Sequence, residues 1–128
     1  MSAMSNYLEE KLINGTIRGT SYTAPSTVYV ALYTTNPGEG DTGTEVSGGS
    51  YARQSVTFDA PTDGVATNNA AVTFPTATGS WGTITHIGIR DASTAGNLLY
   101  YAALTASKTI SSGDIFTIST GNLSVTLA

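Results

Sequence analysis

The stretch from Trp81 to Leu104 constrains the fold of this chain more than any other part of the sequence. It holds two apolar runs, and the residues between them, 91–97, are turn formers. In the first run apolar and polar residues alternate, which places Ile87 on one face and Ile84 on the other, as in a half-buried strand. The second run, from Leu98, is apolar on both faces, as in a strand covered on both sides. We therefore predict that the two runs form a long hairpin at the centre of a sheet.

Shorter apolar runs bounded by turn residues predict the other strands. They lie at residues 27–35, 51–58, 70–74, 115–119 and 123–127. The last two are predicted to pair with each other as a hairpin, and residues 106–114 are predicted to form a polar turn. Turn signals recur at intervals of about 8–12 residues, which is typical of sandwiches and small barrels. We therefore predict a single all-β domain over residues 1–128, an antiparallel β-sandwich, jelly-roll-like, of about seven strands with a short N-terminal helix.

The pattern changes from strand to helix at the start of the chain, within residues 1–15. Apolar side chains recur there at every fourth position or lie beside that stripe: Met4, Tyr7, Leu8 and Leu12. Ser2 or Ser5 can cap the start of the helix, and Asn14-Gly15 is a suitable end. A helix this short is marginally stable alone, so its apolar stripe must dock either on its own sheet or on a neighbouring subunit.

A glycine-rich loop is predicted at residues 36–50. Loops of this length in compact domains are uncommon unless they are functional or mobile. Its carboxylates, Glu39, Asp41 and Glu45, are the best candidates to bind a cation, but their spacing matches no EF-hand loop, and no metal site is predicted. The loop also lacks the Gly-Lys-Ser/Thr ending of a phosphate cradle. Because ordering a glycine-rich loop costs entropy, we expect an ordered loop here to contact a partner.

Arg53 is expected to hold this loop in place. It lies where the loop becomes a strand, and a buried guanidinium without an acceptor is very costly. We predict that Arg53 bonds to Glu45, to Asp59 or to loop carbonyls; the alternative is a solvated arginine whose stem lies on the sheet. The predicted assembly contacts are the helix stripe, the loop carboxylates and this arginine: Met4, Tyr7, Leu8, Leu12, Glu39, Asp41, Glu45 and Arg53.

Composition argues against several classes of function. The net charge is −4, and the five cationic side chains are scattered along the chain, whereas a nucleic-acid surface needs clustered Lys and Arg. No apolar run approaches the ~20 residues that span a bilayer, and the first residues do not read as a secretion signal. The absence of cysteine excludes disulfides and thiolate metal sites, and is compatible with a bacterial cytosol.

The sequence contains no recognisable catalytic motif. His86 is the only histidine, and no carboxylate lies near it at the spacing that metal motifs use. We therefore predict no catalytic residue, no metal ligand and no cofactor. Tyr and Trp side chains on strands could form a platform on which sugars stack, so a carbohydrate-binding module is an alternative; such aromatics more often fill the core of a sandwich.

Several segments of the sequence carry a family resemblance that covers nearly the whole chain. They include NYLEEKLING near the start, TEVSGGSYAR at residues 44–53, Phe74-Pro75, Trp81-Gly82 and LSVTL near the end, and TEVSGGSYAR is the most specific of them. In these segments the chain resembles a family of small virion proteins of tailed bacteriophages, whose members are described as tail-fibre or head-decoration proteins.

The resemblance implies a non-enzymatic structural protein of the virion, assembled in the host cytoplasm. The expected partners are other virion proteins, either the major capsid protein or tail proteins, together with further copies of the chain. Because the sequence has no repeat that could build a fibre shaft, capsid decoration by a cement subunit is the preferred interpretation. A tail-fibre or baseplate component is the alternative.

Overall fold

The computed structural model describes residues 2–127, and nine strands and one helix lie in this part of the chain. In chain order these are β1 (Ala3–Met4), α1 (Asn6–Ile17), β2 (Val28–Tyr33), β3 (Gln54–Val56), β4 (Val65–Thr67), β5 (Val72–Thr73), β6 (Gly82–Arg90), β7 (Leu98–Ile110), β8 (Thr117–Ile118) and β9 (Ser124–Thr126). The predicted all-β sandwich with a short N-terminal helix is confirmed.

The long hairpin predicted from the sequence is the centre of the main sheet. That sheet has five antiparallel strands in the order β1-β7-β6-β2-β3. β6 pairs with β7 on one side and with β2 on the other, where Leu32 lies opposite Ile87. Two smaller sheets, β4-β9 and β5-β8, complete the sandwich.

The main core lies between the five-stranded sheet and the two small sheets. β-Branched and leucine side chains from the inner face of the main sheet, such as Val30, Leu32 and Ile84, are fully buried there. Phe74 and Phe116 close the core from the small-sheet side, with ring centroids 5.6 Å apart in an edge-to-face arrangement. Burial of this apolar surface is the main stabilising contribution to the domain.

Asn68 joins the small sheets to each other at the bottom of the core. Its side chain is 1% exposed, and its amide nitrogen donates to the carbonyls of Ala70 and Ser119 at 2.9 and 3.1 Å. Its side-chain oxygen accepts from the backbone N–H of Leu123 at 3.0 Å. A buried amide with all these bonds made is stabilising, whereas one without them would be costly.

The outer face of the main sheet carries a second, smaller core. Ala31, Tyr33 and Leu98 are buried there, and Tyr101 packs against them. Helix α1 packs on β7, and Leu8 on the helix is 3% exposed. Of the two docking partners considered for the helix, its own sheet is therefore the one that it contacts.

A large bulge changes the predicted alternation within the central hairpin. Between the pairs Ile84–Lys108 and His86–Ala103, β6 advances by two residues and β7 by five. The register is broken here, and Ile84 lies with Ile87 in the main core instead of on the opposite face. The predicted face of Ile84 was therefore wrong.

The C-terminal pairing and one strand also differ from the prediction. Strands β8 and β9 do not form a hairpin; β8 pairs with β5 and β9 with β4. Residues 65–67, predicted to be a turn region, form β4, and β7 continues through most of the predicted polar turn to Ile110. Local sequence does not encode pairings over such separations, since they depend on tertiary context.

The helix begins and ends later than the sequence indicates. Residues 3 and 4 belong to β1, so Met4 is a strand residue and not part of the helical stripe. Ser5 is the N-cap, one of the two predicted caps. The helix continues past Gly15 to Ile17, because Gly19, with φ of +69°, is the glycine that adopts the left-handed conformation of a C-terminal cap.

Candidate functional site

Arg53 makes four hydrogen bonds at the base of the glycine-rich loop. Its Nε and one terminal nitrogen donate to the carboxylate of Glu45 at 2.8 and 2.7 Å. Its other terminal nitrogen donates to the backbone carbonyls of Ala92 and Ala95 at 2.9 and 2.8 Å. The predicted bond from Arg53 to Glu45 is confirmed; the other carboxylate considered, Asp59, is not used. Arg53 thus ties the glycine-rich loop to the turn of the central hairpin.

Arg90 also makes four hydrogen bonds, and these hold the tip of the loop. Its two terminal nitrogens donate to the two carboxylate oxygens of Asp41 at 2.8 and 2.9 Å. One of these nitrogens also donates to the Tyr33 hydroxyl at 2.9 Å, and the other nitrogen also donates to the carbonyl of Gly96 at 3.0 Å. Arg90 is 7% exposed, and its Nε has no partner within residues 2–127. Bidentate pairing of this kind orients both groups as well as neutralising them.

Together these side chains form one polar cluster at the loop end of the sandwich, which we call the arginine cluster: Tyr33, Asp41, Glu45, Tyr51, Arg53 and Arg90. Tyr51 completes it, since its hydroxyl donates to Glu45 at 2.7 Å and accepts from the backbone N–H of Leu32 at 3.0 Å. The cluster thereby connects the loop to strand β2 through a side chain as well as through the backbone.

Charge pairing determines the protonation states in the cluster. Burial alone would raise the pKa of Glu45, but the hydrogen bonds from Arg53 and Tyr51 outweigh it and hold this pKa below its ordinary value. The hydrogen bond to Glu45 raises the pKa of Arg53. Burial, with the Glu45 carboxylate beside it, raises the pKa of the Tyr51 hydroxyl. Glu45 is therefore ionised and Tyr51 neutral at pH 7, which is what their hydrogen bond requires.

The backbone of the loop is folded closely enough to require glycine. Thr42 donates its N–H to the carbonyl of Pro37 at 2.8 Å. A Cβ at Gly43 would lie 2.6 Å from the Cα of Pro37, so no larger residue could occupy this position without moving the backbone. Asp41 itself has φ of +56°, an unusual conformation for a residue other than glycine. The glycines thus permit a compact loop, and the arginines hold it.

The start of helix α1 lies against this loop. The N–H of Asn6 donates to the carbonyl of Glu39 at 2.9 Å, and the N–H of Ser5 donates to the carbonyl of Leu99 at 2.9 Å. The Ser5 hydroxyl accepts from the N–H of Leu8 at 3.2 Å and donates to the carbonyl of Leu98. The helix and the glycine-rich loop, predicted separately as contact regions, therefore form one continuous surface.

The structure divides the predicted contact residues into buried and accessible ones. Leu8 contacts its own domain, while Glu45 and Arg53 are engaged with each other. Asp41 is paired but remains partly accessible, with 33% of its side chain exposed. The remaining predicted contacts are half-buried or exposed: Met4, Tyr7, Leu12 and Glu39. Their role in contacts between proteins stays a prediction.

Arg90 is one of three members of the cluster, with Tyr33 and Tyr51, that were not among the predicted contact residues. It lies 49 positions from Asp41 in the sequence, on a strand that was predicted from its apolar alternation. An arginine that ends such a strand is itself a signal, because a buried guanidinium must have an acceptor nearby. Applied to Arg90 as it was to Arg53, this rule would have predicted a second acidic partner.

The described part of the chain shows no cluster of side chains suited to metal binding. No group of three or more His, Cys, Asp or Glu side chains converges within residues 2–127. His86 is half-buried in mid-strand, with its Nδ1 2.8 Å from the Thr85 hydroxyl. The loop carboxylates that could have bound a cation, Asp41 and Glu45, face guanidinium groups instead.

Trp81, one of the aromatic residues considered for sugar stacking, is part of the main core. This tryptophan is 4% exposed, lies edge-on to Tyr51 with ring centroids 5.5 Å apart, and donates from Nε1 to the carbonyl of Gly49 at 2.9 Å. It presents no open face for a sugar ring. No helix within residues 2–127 is long and apolar enough to cross a membrane.

Comparison with known proteins gives one family. The model of the family described as "Podophage GP4 fiber I protein gp80" matches residues 3–126, which is nearly the whole chain. No curated protein matches the chain. The matched segment includes every strand described above and the complete arginine cluster. The chain therefore belongs to the podophage GP4 fiber I protein gp80 family, a family of structural proteins of the phage virion.

Proposed function

We propose that this protein is a tail-fibre subunit that acts by binding other virion proteins and not by catalysis. The fibre description of its family supports the location. The observation that carries the mode of action is the arginine cluster, which fixes an exposed glycine-rich loop without help from another protein. A contact surface that is already ordered loses less entropy when it binds, so rigidity of this kind favours tight assembly.

The proposed contact surface is the loop end of the sandwich, formed by residues 36–45, the turn at 91–97 and the first turn of α1. Glu39 is exposed at its centre and takes no part in the arginine cluster. The docking partner is a tail protein whose surface matches this rigid shape. Host cytoplasm is the proposed place of assembly.

Charge reversal on the loop tests this assignment. Glu39→Arg changes the proposed contact surface without removing a side chain that holds the loop. Lys108→Glu changes the charge by the same amount on exposed β7, away from that surface. When phage lacking the native gene are complemented with each variant, we expect Glu39→Arg to be depleted from purified particles and Lys108→Glu to be incorporated as the native chain is. Equal incorporation of both variants would show that the loop end is not the contact surface.

Capsid decoration by a cement subunit is the second candidate, and one observation favours it. The described chain is a compact sandwich with no shaft-like repeat, and such a unit suits a shell surface as well as a fibre joint. Gold labelling of particles and protein quantification distinguish the two. Label on the tail with a copy number set by tail symmetry supports the fibre; label over the head with a copy number that follows the capsid subunits supports decoration.

A further inference from the structure

A second surface, lined by none of the residues of the arginine cluster, has the form of a docking groove. It has a volume of about 560 Å³ and opens between the inner face of the main sheet and the β4-β9 pair. Its walls are mainly apolar and include Val28, Phe58, Ile89, Leu99 and Val125. This volume is in the range of pockets that enclose a ligand or several side chains.

The rim of the groove is acidic and partly apolar. Asp59 lines it, and Asp63 lies exposed in the turn beside it, between two lining residues, Pro61 and Gly64. Leu127 also lines the groove and is 41% exposed. An occupant must therefore offer apolar side chains with a positive charge next to them.

The same chain carries such a group on the outer face of helix α1. Ile13 and Ile17 lie one turn apart and are 54% and 78% exposed, which makes Ile17 the most exposed large apolar side chain among residues 2–127. Arg18 follows at the end of the helix and is also exposed. Exposed apolar side chains of this size, placed together, commonly mark an interaction surface.

The charged residues on each side of Ile13 and Ile17 indicate which end of the helix would fit the acidic groove. Glu9 and Glu10 lie one turn before Ile13, and the acidic rim would repel them. Arg18 lies beside Ile17 and would be attracted to Asp59. The C-terminal end of α1 is therefore the complementary one.

We propose that the groove receives Ile13 and Ile17 of a second copy of this chain, with Arg18 of that copy against the acidic rim. Ile13 and Ile17 are exposed and do not line the groove of their own chain, so another copy must supply them. The contact is head-to-tail: each copy uses its helix on one neighbour and its groove on another. Repetition of such a contact gives a ring or an open row of subunits.

This contact is small compared with stable interfaces, which bury about 1,200–2,000 Å². We therefore expect it to be weak between free subunits and to become populated where a particle holds neighbours at high effective concentration. The proposal concerns contacts between copies and does not depend on whether the loop end binds the tail or the capsid.

Disulfide trapping on the isolated protein tests the proposal, because the native chain has no cysteine. A tagged Ile17→Cys chain is mixed with an untagged Leu127→Cys chain and oxidised, and the products are separated without reductant. The matched control replaces Leu127→Cys by Ile115→Cys, an isoleucine that is 56% exposed but outside both surfaces. Circular dichroism of each variant confirms that it is folded.

We expect the Ile17–Leu127 pair to form the mixed disulfide several-fold faster than the Ile17–Ile115 pair. Adding Arg18→Asp to the helix partner should reduce this excess, and Asp59→Arg on the groove partner should restore it. Equal rates for the two pairs would overturn the proposal. A faster disulfide between two Ile17→Cys chains would overturn the head-to-tail geometry, and failure of the Asp59→Arg rescue would overturn the orientation of the helix.

Discussion

At the scale of single residues, Arg53 and Arg90 have the same role, which is to hold the glycine-rich loop in place. A loop rich in glycine gains much conformational freedom when it is released, so something must hold it to the sheet. Arg53 holds the base of the loop through Glu45, and Arg90 holds its tip through Asp41. Both also bond to carbonyls of the 91–97 turn, so two loops are fixed by the same two side chains.

Replacing Arg53 tests the holding function directly. Arg53→Met keeps the aliphatic stem but removes all four donors, and it leaves the partly buried Glu45 without its counterion. We expect the free energy of unfolding to fall by about 2 kcal/mol. Proteolysis within residues 36–45 should become faster, while the far-UV circular dichroism stays that of the native sheet.

The control for this experiment is Arg18→Met, the same substitution at an exposed arginine. It should change the free energy of unfolding by less than about 0.5 kcal/mol. If urea titrations give the two variants equal stability and the loop is cut no faster in Arg53→Met, the arginine does not hold the loop.

Sequence spacing explains why one of these pairs could be predicted and the other could not. Glu45 lies eight residues from Arg53, so a short list of nearby acids contained the correct partner. Asp41 and Arg90 meet only after β2 and β6 have paired. A contact that depends on strand pairing over that separation is a property of the fold and not of local sequence.

At the scale of elements, helix α1 depends on the sheet below it. The helix is short, contains Gly15 in its interior, and owes its position to tertiary contacts more than to its own propensity. Ser5 makes the connection, because one hydroxyl both caps the helix and bonds to the carbonyl of Leu98.

Ser5→Ala should therefore lower the free energy of unfolding more than the loss of a helix cap that makes no second hydrogen bond. The substitution removes the acceptor for the Leu8 N–H and leaves the Leu98 carbonyl without its side-chain donor. We expect a loss of about 1–2 kcal/mol in the free energy of unfolding. Hydrogen exchange should also become faster in the first turn of α1, as measured by mass spectrometry. Ser21→Ala, at an exposed position in the connector after the helix, is the matched control and should leave both quantities unchanged.

The elements that were predicted correctly are those with a strong local pattern. The alternation of β2 and β6 and the long apolar run of β7 indicated the centre of the main sheet. Strand β4 has only three residues and lies among turn formers, and β8 and β9 find their partners across the molecule. Short strands carry too few residues to show a period, so pairing partners and not propensity define them.

At the scale of the whole molecule, the lowered pKa of Glu45 makes stability depend on acid pH. The folded protein binds the Glu45 proton less readily than the unfolded chain does. Its stabilising contribution is therefore fully present above the unfolded glutamate pKa of about 4.3, and it is lost as the pH falls toward the lower folded value. The domain should lose stability over this acid range.

Urea titrations at several pH values measure this dependence. We expect the slope of unfolding free energy against pH below about pH 4.3 to be smaller in Glu45→Gln than in the native protein, because the titrating group is gone. Glu39→Gln, which removes an exposed carboxylate outside the arginine cluster, is the matched variant for comparison. A slope in Glu45→Gln as steep as the native one would assign the acid sensitivity to other carboxylates.

The pairing of β9 with β4 affects when the domain can fold during its synthesis. Asn68 bonds to Leu123, which lies 55 residues further along the chain, and Ser2 bonds to Thr126. A ribosome must therefore release the chain as far as Thr126 before this side of the sandwich can close. Until then β4 has an open edge that another nascent chain could pair with. Domains dominated by such distant pairings fold in milliseconds to seconds, so the yield of soluble subunits depends on folding after synthesis outpacing encounters between unfinished chains.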